Sequence, residues 1–291
     1  MIELDNVSFS YDKNAPVLQN ITLRETKPVI AGLWGRNGAG KTTLMKLLAG
    51  HECPNAGSVR IMGEEPYNNW RAVQKICFMQ EDLPLSWLWT VKDTLLLARY
   101  YNPNWDLQLA NHLLEIFELA QHKKVVKLSK GMKSALQYII GLSSMAEITV
   151  LDEPINGLDA WMRKKLYETL LDSHADCPRL IMVSTHHIEE LQPMFETLAV
   201  IQRGRLLFYQ PMEKVRERGI WLAGERAKVE KAILKQPVLE QVNSGPIMKA
   251  LLDTVYTPEL KRKAQEQGFT MEKAGMQDYL LGLTANEEVL I

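Results

Sequence analysis

The sequence predicts an α/β fold, in which a mostly parallel sheet is joined by an antiparallel β subdomain, an inserted α-helical subdomain and a small C-terminal α+β extension. Three observations predict it. Runs such as "VIAGLWG", "ITVLDEP" and "RLIMVSTHH" are almost continuously apolar, as strands buried on both faces should be. Helical patterns separate these runs, which is the alternation of a parallel sheet with crossover helices. "MIELDNVSFSY", "ITLRE" and "GSVRIMG" read instead as antiparallel strands with turn residues between them.

In chain order, the alternating N-terminal strands lead into the apolar strand at 29–35 and the helix "LMKLLAG". From about Leu88 to Gln121 the pattern becomes helical. "VKDTLLLARYY" and "LQLANHLLEIFELA" are separated by "NPNWD", where Pro103 and the asparagines punctuate two helices. "KLSKGMKSALQYIIG" then sets Ser129 and Gly131 in a short polar turn before another apolar helix, closing a helical subdomain of about 88–140. Apolar strands follow at 148–154, 179–187 and 197–209. Beyond about Gln210 the strand signals fade, and "ERAKVEKAILKQ", "TPELKRKAQEQG" and "MQDYLLGLT" alternate with shorter extended pieces. The expected domains are 1–210 and an accessory 211–291.

Bulk properties narrow the function classes. With 34 basic and 35 acidic side chains the formal net charge is −1, which offers a polyanion no general attraction and argues against nucleic acid as partner. Cys53, Cys77 and Cys177 are odd in number and far apart, so neither a disulfide framework nor zinc-ligand spacing is present, and reduced thiols in a cytoplasmic protein are expected. The opening residues lack the basic and apolar blocks of a signal peptide. "DLPLSWLWTV" and "SALQYIIGLSSMA" fall short of the roughly 20 apolar residues needed to span a bilayer.

The chemistry begins at "GRNGAGKTT", residues 35–43, which fits G-x-x-x-x-G-K-[ST] between a strand and a helix. Gly35, Gly38 and Gly40 let the backbone turn tightly and bring its N–H groups close to phosphate oxygens. Those donors and the helix N-terminus form an anion cradle. Lys41 then reaches the β- and γ-phosphates and the Thr42 hydroxyl a Mg²⁺ ion. Asn37, Ala39 and Thr43 complete this candidate nucleotide-contact set, and the expected core is that of a P-loop NTPase with a mixed sheet. "ITVLDEP" ends an apolar strand with Asp152 and Glu153. Where the chain bends at a strand end both side chains can line one crevice, with Asp152 holding Mg²⁺ through water and Glu153 positioning or deprotonating the attacking water. His186 follows "LIMVST", where its ring could donate to the γ-phosphate; spacing alone does not separate it from His187.

Taken together, these residues resemble the ATP-binding subunit of an ABC transporter, over nearly all of residues 1 to about 210 and in that family's order. "GRNGAGKT" matches the Walker A motif, "ITVLDEP" Walker B, "LSKGM" the signature and "NGLD" the D-loop ending in Asp159. The resemblance implies that Tyr11 stacks on adenine, that Gln80 is the Q-loop glutamine with a catalytic and metal-contacting role, and that His186 is the switch histidine. "NPNWD" and the length of the tail point, within the family, to Ytr-type cassettes of Gram-positive bacteria. Lys130 and Met132 depart from the usual L-S-G-G-Q, and Asn156 stands where the D-loop commonly has serine.

The family's arrangement also implies partners. Two cassettes, as homodimer or heterodimer, would pack head to tail, with Ser129 and Gly131 of one facing the γ-phosphate held by the other. A separate membrane permease would select the substrate and hold the chain on the inner face of the cell membrane. Trp87 and Trp89 would either dock a permease helix or belong to the subdomain core. ATP and Mg²⁺ are the implied cofactors and ATP hydrolysis the implied activity. Ribosome- or DNA-acting relatives usually carry two cassettes per chain or long coiled coils, neither visible here; a nucleotide-sensing module remains the other reading.

Overall fold

The structure is a computed structural model that describes residues 1–12, 15–80 and 88–285. It divides into two compact units, Met1–His186 with Pro193–Tyr209, and His187–Gln192 with Gln210–Ile291.

In the first unit, β1 (Ile2–Asp12) and β2 (Ala15–Glu25) precede β3 (Ile30–Trp34), α1 (Lys41–Leu48), β4 (Ala56–Ile61), α2 (Trp70–Val73) and β5 (Ile76–Met79). Then come α3 (Val91–Tyr101), α4 (Leu107–Ile116), α5 (Lys130–Ser143), β6 (Ile148–Asp152), α6 (Ala160–Asp176) and β7 (Leu180–Thr185). A sheet of order β2-β1-β4 is antiparallel, as its alternating pattern requires. The larger sheet runs β5-β6-β7-β3-β8-β9, where β8 is Thr197–Gln202 and β9 is Arg205–Pro211. Its pairs from β5 through β8 are parallel, and β3, β6 and β7 are buried at every residue, which explains their uninterrupted apolar sequences. Because these strands point the same way, whatever follows β3, β6 and β7 gathers at one edge of the sheet. Helix α1 packs between the two sheets, and one core joins Ile2, Leu18, Leu44, Leu47, Ile148 and Ile201.

Local sequence sets the helix ends. Thr90 and Asp93 close a reciprocal capping box on α3, while Asp106 and Ser129 accept from Leu109 and Met132 to cap α4 and α5. Helix α4 stops earlier than its apolar run suggests, because Glu118 adopts a left-handed φ of 50°. The single run expected at 197–209 is two strands, broken by Arg203 and Gly204 at φ of 46° and 77°. Trp87 lies outside the described residues; Trp89 is 36% exposed.

Arg179 ties helix ends together from a buried position. Its guanidinium donates to the carbonyls of Leu142 (3.3 Å), Ser173 (3.1 Å) and Cys177 (3.1 Å) and to Ser173 Oγ (2.9 Å), all at the C-terminal ends of α5 and α6. Carbonyls at a helix C-terminus are short of N–H donors, and although Ser173 O also accepts from the Cys177 N–H at 3.2 Å, the cation supplies these oxygens with further donors and opposes the helix dipoles. Arg179→Ala should therefore cost about 3 kcal/mol by stranding buried carbonyls, measured as a lower midpoint in urea unfolding.

The second unit holds α7 (Ile188–Leu191), α8 (Met212–Arg216), β10 (Arg218–Glu225), α9 (Arg226–Ile233), β11 (Val238–Ser244), β12 (Ile247–Val255), α10 (Pro258–Glu266), β13 (Thr270–Lys273) and α11 (Met276–Ala285). Its antiparallel sheet has the order β11-β12-β10-β13, and β10-α9-β11-β12-α10-β13 forms a split βαβ unit. Ile220, Leu222, Met248 and Leu252 form a core with Val229 and Ile233 of α9 and Ala264 of α10. On the opposite face a Cβ on Gly282 of α11 would stand 2.7 Å from Leu251 and 3.1 Å from Leu239, so that helix lies directly against the sheet. No helix among the described residues is long and apolar enough to cross a membrane.

Candidate functional site

The register of the parallel strands builds the site. Asp152 on β6 pairs with Ser184 on β7, and Ser184 pairs with Leu33 on β3, two residues before Gly35. The loop after β3 and the ends of β6 and β7 thereby meet around a cavity of about 540 Å³. Its lining includes Arg36, Asn37, Gly38, Ala39, Gly40, Lys41, Thr42 and Thr43 from the loop, with Asp152, Glu153 and His186 opposite. His187 is not among the lining residues.

Two loop glycines are required by backbone geometry. Gly38 and Gly40 have φ of 80° and 105°, and a Cβ on Gly40 would lie 2.7 Å from Leu18. The turn they make starts α1 at Lys41, whose buried ammonium donates to Gly35 O at 2.7 Å. Lys41 Nζ also lies 3.2 Å from Glu153 Oε1, an ion-pair distance without good hydrogen-bond alignment.

The acids are held from both sides. Ser184 Oγ donates to Asp152 Oδ1 (2.5 Å) and accepts from the backbone N–H of Glu153 (2.9 Å). Thr42 Oγ1 donates to Asp152 Oδ2 at 2.8 Å. Glu153 has a left-handed φ of 49°, uncommon for a side-chain-bearing residue, so its carboxylate is aimed by a backbone that costs energy to maintain. Its Oε2 lies 2.9 Å from His186 Nδ1, and an ionised Glu153 accepts the N–H of that nitrogen.

Burial raises the Asp152 pKa above the usual carboxylate value, assisted by Glu153; hydrogen bonds from Ser184 and Thr42 and the Lys41 charge act the other way. With a raised folded pKa, its favourable contribution to folding is fully present below the unfolded value and is lost as pH rises through the folded one. A cation placed against Asp152 offsets that loss. Thr42 and Asp152 present hydroxyl and carboxylate oxygens side by side, a donor set suited to Mg²⁺, which commonly takes one or two protein oxygens and completes its shell with water and phosphate. Among the described residues no group of three His, Cys, Asp or Glu side chains could hold a metal by itself.

The other sequence candidates stand apart from this lining. Tyr11, 57% exposed, packs edge-on to Phe9 at 4.8 Å, and its hydroxyl lies 3.5 Å from Thr43 Oγ1. Gln80 directly follows β5, whose Met79 pairs with Leu151, so its backbone comes level with Asp152. Ser129 caps α5 and Asp159 caps α6, accepting from Met162 N–H at 2.8 Å. Gly131 is required within its own chain, because a Cβ there would stand 2.3 Å from Gly157 O. Sequence reasoning missed Ser184 as the link between the two acids, and missed that Arg36, Lys130 and Asn156 line the cavity. The only cue for Ser184 is a pair of hydroxyl residues, Ser184 and Thr185, closing an otherwise apolar strand.

Comparison with known proteins agrees with this geometry. The ABC transporter family model matches residues 18–156. The ABC transporter ATP-binding protein YtrB of Bacillus subtilis is 29% identical over 220 residues, covering 76% of this chain and 75% of YtrB. Nod factor export ATP-binding protein I of Burkholderia pseudomallei is 34% identical over 210 residues, covering 70% and 68%. ATP-binding cassette sub-family A member 13 of Homo sapiens is 33% identical over 214 residues, but this chain's match spans only 4% of that much longer protein. Among solved structures, the ATP-binding subunit of an ABC transporter superposes with a TM-score of 0.67 at 23% identity, covering 74% of this chain and 92% of the other. A dimeric bacterial ABC transporter cassette gives 0.66 at 20%, covering 73% and 99%. The phosphate-loop cavity at the sheet edge and these relatives lead to one conclusion: the chain belongs to the family of ABC transporter ATP-binding cassettes.

Proposed function

We propose that the chain hydrolyses ATP as one of a pair of cassettes and drives a separate membrane permease from its cytoplasmic face. The observation that carries the reading is the meeting of the phosphate loop, the Thr42–Asp152 pair and the Glu153–His186 pair at one sheet edge. Loop amides and Lys41 receive the β- and γ-phosphates. Thr42 and Asp152, with Gln80 as a further oxygen donor, would hold Mg²⁺, which would supply positive charge against the phosphates. Glu153 accepts a proton from the attacking water, and His186 orients its carboxylate. An arriving phosphate competes with Glu153 for the Lys41 ammonium, so substrate entry loosens the base from its ion pair. Tyr11 stacks on the adenine. The cap at Ser129, with Gly131 and Asp159, faces the nucleotide of a second cassette, and residues 211–291 form an accessory domain.

The test is complementation between two inactive variants. Ser129→Arg spoils the surface offered to the partner, and Glu153→Gln spoils the base. Each alone should release little phosphate. In an equal mixture half of the dimers are mixed, and each has one intact composite site, so roughly a quarter of wild-type turnover should return. A mixture as inactive as its components would refute the shared site. Co-purification of the chain with a hydrophobic membrane protein tests the coupling to a permease, and recovery with ribosomes would contradict it.

A further inference from the structure

We infer that Ser184 is a further positioning residue for hydrolysis, whose one hydroxyl sets both the carboxylate of Asp152 and the backbone from which Glu153 projects. This rests on the hydrolytic reading above and extends it. Ser184 is fully buried and is not among the residues that line the cavity, so whatever it contributes passes through the two acids.

A serine hydroxyl has one proton to donate and lone pairs with which to accept, and Ser184 uses both capacities. Its Oγ donates to Asp152 Oδ1 at 2.5 Å and accepts from the Glu153 N–H at 2.9 Å. The register of β6 with β7 ends at the pair of Asp152 and Ser184, which leaves the Glu153 N–H just past the last paired residue. A buried amide there needs an acceptor, and the Ser184 side chain supplies it.

Each bond has its own consequence. With Ser184 on Oδ1 and the Thr42 hydroxyl on Oδ2 at 2.8 Å, the Asp152 carboxylate is held at both oxygens, and Oδ2 is kept beside Thr42. At Glu153 the left-handed φ of 49° is a conformation that persists only where its surroundings hold it. The Ser184 bond holds the N–H of that residue, and the Asn156 N–H, 3.1 Å from Glu153 O, holds its carbonyl. Loss of the first hold frees the Glu153 carboxylate to leave Lys41 and His186, which now stand 3.2 Å and 2.9 Å away. Both bonds of Ser184 go to the acids rather than to the phosphate loop. Removing the hydroxyl should therefore slow the chemistry and leave nucleotide affinity in place.

Steady-state phosphate release and equilibrium binding of ADP without Mg²⁺ test this. Ser184→Ala should lower kcat roughly tenfold or more, on the order of the loss from a displaced catalytic group, with the KM for ATP and the affinity for ADP each within about twofold of wild type. Hydrogen exchange on the nucleotide-free Ser184→Ala protein should find the Glu153 amide exchanging faster, having lost its acceptor. Ser184→Thr, which keeps a hydroxyl for both bonds, should recover most of kcat, which a merely structural role would not predict. Should Ser184→Ala fail to fold, Ser184→Cys, close in size and a weak donor, is read in its place with the same expectation. Wild-type kcat in a folded Ser184→Ala or Ser184→Cys protein overturns the inference. So does a raised KM with kcat unchanged, an unchanged Glu153 exchange rate, or a folded Ser184→Thr protein as slow as Ser184→Ala. If the wild-type chain releases no phosphate, the hydrolytic reading fails and takes this inference with it. If wild type turns over and Glu153→Gln stops it while Ser184→Ala does not slow it, only the inference about Ser184 falls.

Discussion

Replacing Glu153 with Gln should lower steady-state phosphate release by a hundredfold or more, an effect on the order of that expected for loss of a general base, and leave ATP binding near wild type. Gln keeps the shape of the side chain and can accept through its carbonyl from His186 Nδ1, now 2.9 Å from Glu153 Oε2. It cannot take a proton from water. The substitution relieves Asp152 of a neighbouring buried negative charge but takes the ion-pair partner from the buried Lys41 ammonium, which keeps its bond to Gly35 O, so a modest loss of folding stability should accompany it. With the phosphates uncleaved, a nucleotide-bound dimer should persist on size-exclusion chromatography. Phosphate release at the wild-type rate would take Glu153 out of the chemistry.

Lys41→Ala should act earlier in the cycle, by weakening nucleotide binding tenfold to a hundredfold, roughly the range for a lost charge-assisted hydrogen bond. The truncation has a second effect, because the Lys41 and Glu153 side chains are only 6% and 8% exposed. Removing the ammonium leaves Glu153 with His186 as its remaining partner among those described above, and should cost about 2 kcal/mol of folding stability through the uncompensated buried charge. Equilibrium dialysis with labelled ATP and urea unfolding separate the two effects. Normal ATP affinity in a folded Lys41→Ala protein would contradict the cradle assignment.

The parts of the site legible in sequence are those encoded locally. Gly38 and Gly40 announce a loop with left-handed backbone, and the apolar strand before it and helix after it fix its context, so the cradle could be read from a single stretch. Asp152 and His186 are legible because the first ends, and the second directly follows, a strand whose apolar run marks it as buried. Ser184 was not, because its bonds to Asp152 and Glu153 arise from the register of two strands far apart in sequence. An α+β extension with short extended pieces is expected after about Gln210, but its individual strands are not legible: β11 is exposed at five of its seven residues and β13 has only four, so these edge strands carry too little buried sequence to show an alternating pattern. The helices α9, α10 and α11 were readable because their apolar faces recur at helical spacing. The placement of Lys130 and Asn156 in the cavity required tertiary structure, since it depends on two glycine backbones meeting.

That meeting at Gly131 and Gly157 has a mechanical consequence. With no side chain between them, the start of α5 has no slack against the segment that follows Glu153, and a displacement of one must be transmitted to the other. A bulkier residue at either glycine would act as a spacer and loosen the linkage before it touched any catalytic atom.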